Sequence, residues 1–374
     1  MADLFNGCYT GRRVLLTGHT GFKGSWLAFW LRRLGAEVVG YALPPQTDPN
    51  HWDLLRLADV ESNLGDIRDM DSLLRAFRRH PPEIVFHLAA QPLVRRSYRE
   101  PVETFSTNVL GTLNVFEAAR AVGSVRALVC VTSDKVYENQ ESAGGYVESD
   151  RLGGSDPYSA SKACTEIVAA CYRKSYFANS ADSPPIRMAT VRAGNVIGGG
   201  DWSEDRLIPD AVRAAGSGGR LGIRNPSSVR PWQHVLESLA AYLAVGRELL
   251  HGNEAAASAW NFGPGQEGSV AVRDVIGCFQ QAWPALRADV AREANPPPET
   301  ETLRLDSRRA MDQLHWRPVW DWQTAVTRSA HWYRRYCEQR TIATDEDLDA
   351  YIAAAGQAEV AWACSHERQI AGRE

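Results

Sequence analysis

The chain reads as an α/β protein built on a doubly wound parallel sheet, followed by a smaller, loop-rich substrate lobe. Three observations carry that expectation. A strand-like run, Arg13-Val14-Leu15-Leu16-Thr17, passes through Gly18-His19-Thr20-Gly21-Phe22-Lys23-Gly24 into a helical pattern from Ser25 to Leu31. Apolar runs then alternate with helical stretches in the order β-α-β-α-β-α-β, which suits parallel strands joined by crossover helices. Beyond about residue 200 the composition shifts toward Arg, Trp and Pro in short segments.

Length and charge narrow the function classes. At 374 residues and 44% hydrophobic content, the chain can hold one large domain or two domains sharing a cleft. A net charge of −4 offers no basic excess to neutralise nucleic-acid phosphates. Met1–Phe5 has no basic start and no long apolar run, and no membrane span is evident. Seven cysteines, scattered without a Cys-x-x-Cys pair or matching His spacing, point to a reducing cytoplasm and to no metal site. Cys130, inside an apolar run, reads as a small core residue.

The glycine turn is the first candidate site. Its Gly-x-x-Gly-x-x-Gly spacing lets backbone amides at a helix start approach a pyrophosphate, whose charge the helix dipole favours. The second strand, Ala36–Leu43, should end near an acid that grips a ribose, yet the chain continues Leu43-Pro44-Pro45-Gln46. Asp48 comes late and no arginine stands there, so these residues leave NAD and NADP both open. Asp66 could cap the helix starting near Met70 or hold an adenine amine, and capping is the simpler role. In the strand Ile84–Ala90, Ala89 and Ala90 are small enough to let a cofactor lie against the backbone. A helical pattern from Val102 to Ala121 carries Asn108 and Gly111.

The apolar strand Ala127–Val131 then breaks into Thr132-Ser133-Asp134-Lys135. Reactive side chains at the carboxyl end of a parallel strand are expected at a site, although any strand exit is polar. Tyr158 and Lys162 stand four apart on a predicted helix through Tyr172, hence on one face. A lysine beside a phenol favours phenolate and would lower the tyrosine pKa; the alternative is an ordinary surface pair. Residues 179–185 read as a loop, and Ala189–Ala193 as a strand running into Gly194–Trp202. Gly198-Gly199-Gly200 suggests backbone pressed against a ligand or another segment. Arg206, Arg224, Arg230 and His234 recur near aromatics, suiting phosphate contacts and base stacking, or else surface ion pairs around a tryptophan-rich core. Asn295-Pro296-Pro297-Pro298 reads as a stiff loop, with helices at Ser307–Leu314 and Trp322–Tyr336. The acidic-capped helical stretch Thr344–Ala363 has no role legible in its residues.

With the glycine turn, the Thr132-Ser133 strand end and Tyr158-x-x-x-Lys162 in place, the chain resembles an extended short-chain dehydrogenase/reductase, through about Tyr336. Four stretches, Gly18–Trp26, Thr132–Asn139, Arg192–Trp202 and Arg230–Leu236, look like those of the CDP-glucose 4,6-dehydratase family. The family often has Cys where Val136 stands, a position asked to do no chemistry. The resemblance implies a Rossmann-type domain over 1–190, a mainly nucleotide-sugar-binding lobe over 191–340 with segments returning to the first domain, and a helical tail over 341–374. It implies NAD held by Gly18, Thr20, Gly21, Phe22, Lys23, Gly24, Asp66, Ile67, Leu88, Ala89, Ala90 and Asn108, with Tyr158 and Lys162. It implies CDP-glucose held by Thr132, Asn195, Arg206, Leu207, Arg230 and His234.

The chemistry implied is an internal redox cycle. Tyr158 accepts the O4 proton while Lys162 holds Tyr158 and the nicotinamide ribose. Ser133 orients the sugar, Asp134 protonates the departing C6 hydroxyl and Lys135 removes the C5 proton. Such a lysine needs a lowered pKa, for which Lys162 is a candidate neighbour. The resemblance further implies a cytoplasmic homodimer or homotetramer, with no nucleic-acid, membrane or metal partner. Two alternatives stay open: a nucleotide-sugar epimerase, which does not need Asp134-Lys135, and a non-catalytic NAD-binding protein. Mass spectrometry of the product separates a dehydratase from an epimerase, since a dehydratase product has lost water and an epimerase product keeps the substrate mass.

Overall fold

The computed structural model describes residues 1, 3–140, 144–178, 184–290 and 303–364. Most of the 179–185 loop and the Asn295–Pro298 stretch lie outside the described residues. Seven strands form one parallel sheet: β1 (Arg13–Thr17), β2 (Glu37–Ala42), β3 (Glu61–Leu64), β4 (Ile84–His87), β5 (Ala127–Val131), β6 (Arg187–Ala193) and β7 (Ala259–Phe262). Their spatial order is β3-β2-β1-β4-β5-β6-β7, and every neighbouring pair is parallel. The order reverses between β1 and β4, which opens a crevice beyond their carboxyl ends.

Both faces of the sheet are covered, which is why its central strands are apolar throughout. Side chains alternate strictly between two cores. Val14, Leu16, Ile84, Phe86 and Val129 enter one, and Leu15, Val85, Leu128 and Cys130 enter the other. The first core contains α1 (Phe22–Arg33); the second contains residues of α2 (Met70–Arg79), α3 (Thr112–Val122) and α4 (Pro157–Tyr172). Cys130 is fully buried in the second core, as its apolar setting implies. The edge strand β3 alternates between half-buried and exposed positions.

Local details depart from the sequence expectation in two places. Asp69, not Asp66, caps α2, accepting from the Ser72 amide at 3.0 Å. A cap must directly precede the first helical residue, and Asp66 stands too early. Its carboxylate is gripped instead by the Arg68 guanidinium, with contacts of 2.6–3.0 Å. The helical pattern after Pro101 is not uniform either. Pro101–Phe105 leads into a π-helical turn, Ser106–Gly111, before α3 resumes.

After β6 the described residues build three two-stranded pairs. The triglycine stretch is pressed against other segments of the protein, with Gly198 and Gly200 also lining the cavity at the sheet edge. A Cβ on Gly198 would meet Val235 at 2.8 Å, one on Gly199 the Trp332 indole at 2.1 Å, and one on Gly200 the His51 imidazole at 2.5 Å. The first core also takes in α5 (Val235–Leu250), α6 (Trp322–Gln339) and α7 (Thr344–Gln357). Beyond α7, Trp362 stacks on Phe5 with ring centres 5.0 Å apart and on Tyr351 at 5.8 Å.

Glu237, fully buried on α5, is the polar anchor of this layer. Its carboxyl accepts from the Val319 and Trp320 amides at 3.0 and 2.7 Å and from the Tyr351 hydroxyl at 2.9 Å. Burial pushes its pKa up to about 7, against the hydrogen bonds that favour the anion. A carboxyl with a raised folded pKa stabilises the fold below its unfolded value, and that contribution is lost as pH rises toward the folded one. A Glu237→Gln variant keeps an acceptor for both amides and is expected to fold. The difference in Tm between variant and wild type should shift in the variant's favour between about pH 5 and about pH 8. A difference constant across that window would contradict the assignment.

Candidate active site

A cavity of about 650 Å³ opens at the carboxyl edge of the sheet. It is lined by the glycine turn (Gly18, Thr20, Gly21, Phe22, Lys23, Gly24), Asp66, Ile67 and Leu88–Ala90. From the other side come Thr132–Lys135, Tyr158, Lys162, Asn195, Arg206, Leu207 and Arg230. Residues far apart in the chain meet here because β1, β4, β5 and β6 all end at one level.

The turn itself is fixed by close approach. Gly18 has φ +79°, and a Cβ there would lie 2.7 Å from the Ala89 nitrogen; one on Gly24 would lie 2.0 Å from the Gly18 oxygen. Gly21, extended, precedes α1, and no side chain caps the helix. Its first-turn N–H groups therefore offer an anion site, which fits the diphosphate of NAD. Thr20 donates to the Leu43 carbonyl at 2.8 Å and ties the turn to the end of β2. That end presents Leu43, Pro44 and Gln46 to the cavity.

The Lys23 side chain turns inward. Its Nζ donates to the Tyr242 hydroxyl at 3.3 Å. Burial draws its pKa down to about 7, helped by the charges of Arg206 and Lys162 and opposed by Asp134 and Asp201.

The end of β5 supplies the candidate catalytic residues. Ser133 accepts from the Lys135 amide at 3.2 Å and donates to Asp134 Oδ1 at 3.1 Å, which folds Asp134–Val136 into a single tight turn. Asp134 is 3% exposed, and its Oδ2 has no hydrogen-bond partner among the described residues. Burial raises its pKa, against the charge of Lys135 and the Ser133 hydrogen bond. The carboxyl thus holds its proton more tightly than an ordinary aspartate does. Lys135 is half-buried and reaches the same cavity.

Tyr158 opens α4, whose start is fixed by Asp156. That side chain accepts from the Ser159 amide at 2.9 Å, with Pro157 in the first helical position. The expected lowering of the phenol is not found. Burial pushes Tyr158 up to about 12, with the Ser133 hydrogen bond as the leading counterweight. Lys162 Nζ donates instead to the Val131 carbonyl at 3.1 Å, and the charge that acts on it is that of Glu166 rather than Lys135. Burial lowers the Lys162 pKa. One helical turn of spacing brings both side chains to the cavity but leaves the ammonium bound to backbone.

Three further expectations need correction. Asn108 does not line the cavity; its amide accepts from the Gln91 amide at 2.8 Å and donates to Ser161 Oγ at 2.9 Å, behind α4. His234 is fully buried, caps α5 by accepting from the Leu236 amide at 3.3 Å, and packs between Trp26 and Trp320. Thr132 reaches the cavity wall, but its hydroxyl donates to the Glu166 carboxylate. Glu166 and Arg192 form a buried ion pair at 2.8 Å, both under 4% exposed. Glu166 and Tyr242 sit inside apolar helices and carry no motif that would single them out in the sequence. Asp156 was legible, since Asp before Pro at a helix start is a capping pattern.

The arginines of the second lobe are partnered by one loop. Asp201 holds Arg206 at 3.1 Å, and Asp205 lies 3.8 Å from Arg224. Arg230 is buried and close enough to Asp134 to oppose its raised pKa.

Residues 14–261 match the model of the NAD dependent epimerase/dehydratase family. A CDP-glucose 4,6-dehydratase of Salmonella typhimurium is 44% identical over 92% of this chain and 98% of its own length. Among solved structures, an epimerase from Methanothermobacter thermautotrophicus aligns with TM-score 0.77 and 26% identity, over 88% of this chain and 94% of that one. A Streptomyces venezuelae dTDP-glucose 4,6-dehydratase with NAD bound aligns with TM-score 0.72 and 26% identity, over 86% and 97%. The chain belongs to the NAD dependent epimerase/dehydratase family.

Proposed function

We propose that this enzyme is a CDP-glucose 4,6-dehydratase that converts CDP-glucose to CDP-4-dehydro-6-deoxyglucose and water, for deoxysugar biosynthesis. It is an NAD-dependent sugar-nucleotide dehydratase, as the similarity to the Salmonella protein and the family match indicate. The observation that carries the reading beyond epimerisation is Asp134. A buried carboxyl with an unpartnered oxygen and a raised proton affinity suits protonation of a leaving hydroxyl. An epimerase has no leaving hydroxyl to protonate.

Bound NAD supplies the hydride acceptor for C4 and the donor for C6. The residues handle protons and position. Tyr158 takes the C4 hydroxyl proton, with Ser133 beside it to orient the sugar and Lys162 to fix the α4–β5 junction. The resulting C4 ketone acidifies C5, whose proton Lys135 removes. Asp134 then releases the C6 hydroxyl as water, and when hydride returns to C6 the Lys135 ammonium gives its proton back to C5. Arg206, Leu207, Arg230 and Asn195 hold the nucleotide diphosphate across the cavity. In this reading residues 1–190 carry NAD and the proton-transfer groups, 191–340 the nucleotide sugar, and 341–374 a tail.

The cytoplasm suits seven cysteines that all stay free. No described helix is long and apolar enough to cross a membrane. A homodimer suits the apolar side chains exposed near α3 and α4, where Val102 is 82% exposed and Leu110 and Ile167 each 59%.

Two variants test the assignment. Lys135→Ala should lower dehydration by roughly 10²–10⁴-fold while still building the absorbance of reduced coenzyme. Full dehydration by that variant removes Lys135 from the scheme. Tyr158→Phe should block the first step, so reduced coenzyme appearing at the wild-type rate contradicts the role given to the phenol.

A further inference from the structure

No residue of the C-terminal helix lines the cavity, yet a chain of hydrogen bonds joins its head to the glycine turn. Thr344, buried at the start of α7, lies between two rings. Trp332 Nε1 donates to Thr344 Oγ1 at 3.0 Å, and an indole N–H can only donate. Thr344 Oγ1 also lies 2.9 Å from His51 Nε2, and His51 Nδ1 lies 2.8 Å from Ser25 Oγ. At the far end, the Ser25 hydroxyl donates to the Phe22 carbonyl at 2.9 Å.

One pattern gives every proton an acceptor: the Ser25 hydroxyl donates to the Phe22 carbonyl and accepts from a proton on His51 Nδ1, and the bare Nε2 accepts from Thr344. Burial keeps the ring neutral, with a pKa drawn down to about 3. Phe22 is the first residue of α1, and Ser25 lies within its first turns, where a coenzyme diphosphate would be bound. The two rings act on a second motif as well. Trp332 and His51 fill the spaces that side chains at Gly199 and Gly200 would need, directly before Asp201, the partner of Arg206.

We propose that Thr344 and His51 are positioning residues for the coenzyme turn, so that the C-terminal helix completes the NAD site without touching it. The inference rests on the reading of the glycine turn as the NAD site. Loss of the Thr344 hydroxyl frees His51 to turn or change tautomer, and the serine that pins the Phe22 carbonyl loses its donor.

The test uses the full chain without bound coenzyme. Thr344→Val removes the hydroxyl at nearly constant shape and should weaken NAD⁺ binding, followed by tryptophan fluorescence, roughly 3- to 10-fold. Turnover at saturating NAD⁺ and KM for the sugar nucleotide should stay within about twofold, and Thr344→Ser should restore the affinity. Ser25→Ala breaks the relay at its other end and should cost a similar factor, with the double variant no worse than either single one. If Thr344→Val lowers Tm but binds NAD⁺ as wild type does, or if the two losses simply add, the proposal is overturned. Should Thr344→Val not fold, Ser25→Ala carries the same comparison. The ¹⁵N signals of His51 give a readout independent of coenzyme, with a protonated Nδ1 and a bare Nε2 expected. A wild type that binds no NAD⁺ at all would sink the functional reading, whereas a His51 protonated on Nε2 would sink the relay.

Discussion

Desolvation at the carboxyl end of β5 governs the chemistry of this cavity. Asp134, Tyr158 and Lys162 all lose their water there, and each shifts toward its neutral form. For the acid role proposed for Asp134 this is useful, because an acid must still hold its proton when a leaving group needs it. For the role proposed for Tyr158 it is a cost, since a buried phenol resists becoming a base. The two residues share Ser133, which donates to one carboxyl oxygen and opposes the rise of the phenol. A single hydroxyl thus lies between the proposed acid and the proposed base.

Balance of charge follows from the same burial. Lys23, Arg206, Arg224 and Arg230 bring positive charge to the cavity, and on one loop Asp201 answers Arg206 and Asp205 answers Arg224. Elsewhere the buried Glu166 and Arg192 satisfy each other, with Thr132 and Thr190 donating to the same carboxylate. That pair pins β5, β6 and α4 together directly beneath the reacting groups. Breaking it from one side would leave a stranded charge, which is why it is rigid rather than merely attractive.

The sheet, its parallel order and the cavity lining were legible because they rest on local patterns. Apolar strands, glycines that must meet Ala89, and reactive residues at strand ends all announce themselves in the chain. What stayed hidden were the directions of side chains. Asn108 and His234 carry polar groups at plausible spacings, yet both turn into packed protein. Lys162 stands one helical turn from Tyr158 and still gives its proton to a strand carbonyl. The tail was opaque for a related reason, since it is tied to α1 through His51 and the Arg33 pairs with Asp345 and Asp349, and to α5 through Tyr351 and Glu237, none of which forms a motif with the residues it serves.

The π-helical turn at Ser106–Gly111 bears on how this scaffold can change length. Its wider winding leaves the Asn108 carbonyl able to accept from Thr165 Oγ1 on α4 at 2.9 Å as well as from Thr112 Oγ1 at 2.7 Å. Deleting one residue there would restore ordinary winding and withdraw that carbonyl from α4. The segments on either side would keep their phase, because the wider turn takes up its extra residue in the bulge rather than in rotation. The extra residue therefore serves as a local bulge that brings one carbonyl within reach of α4.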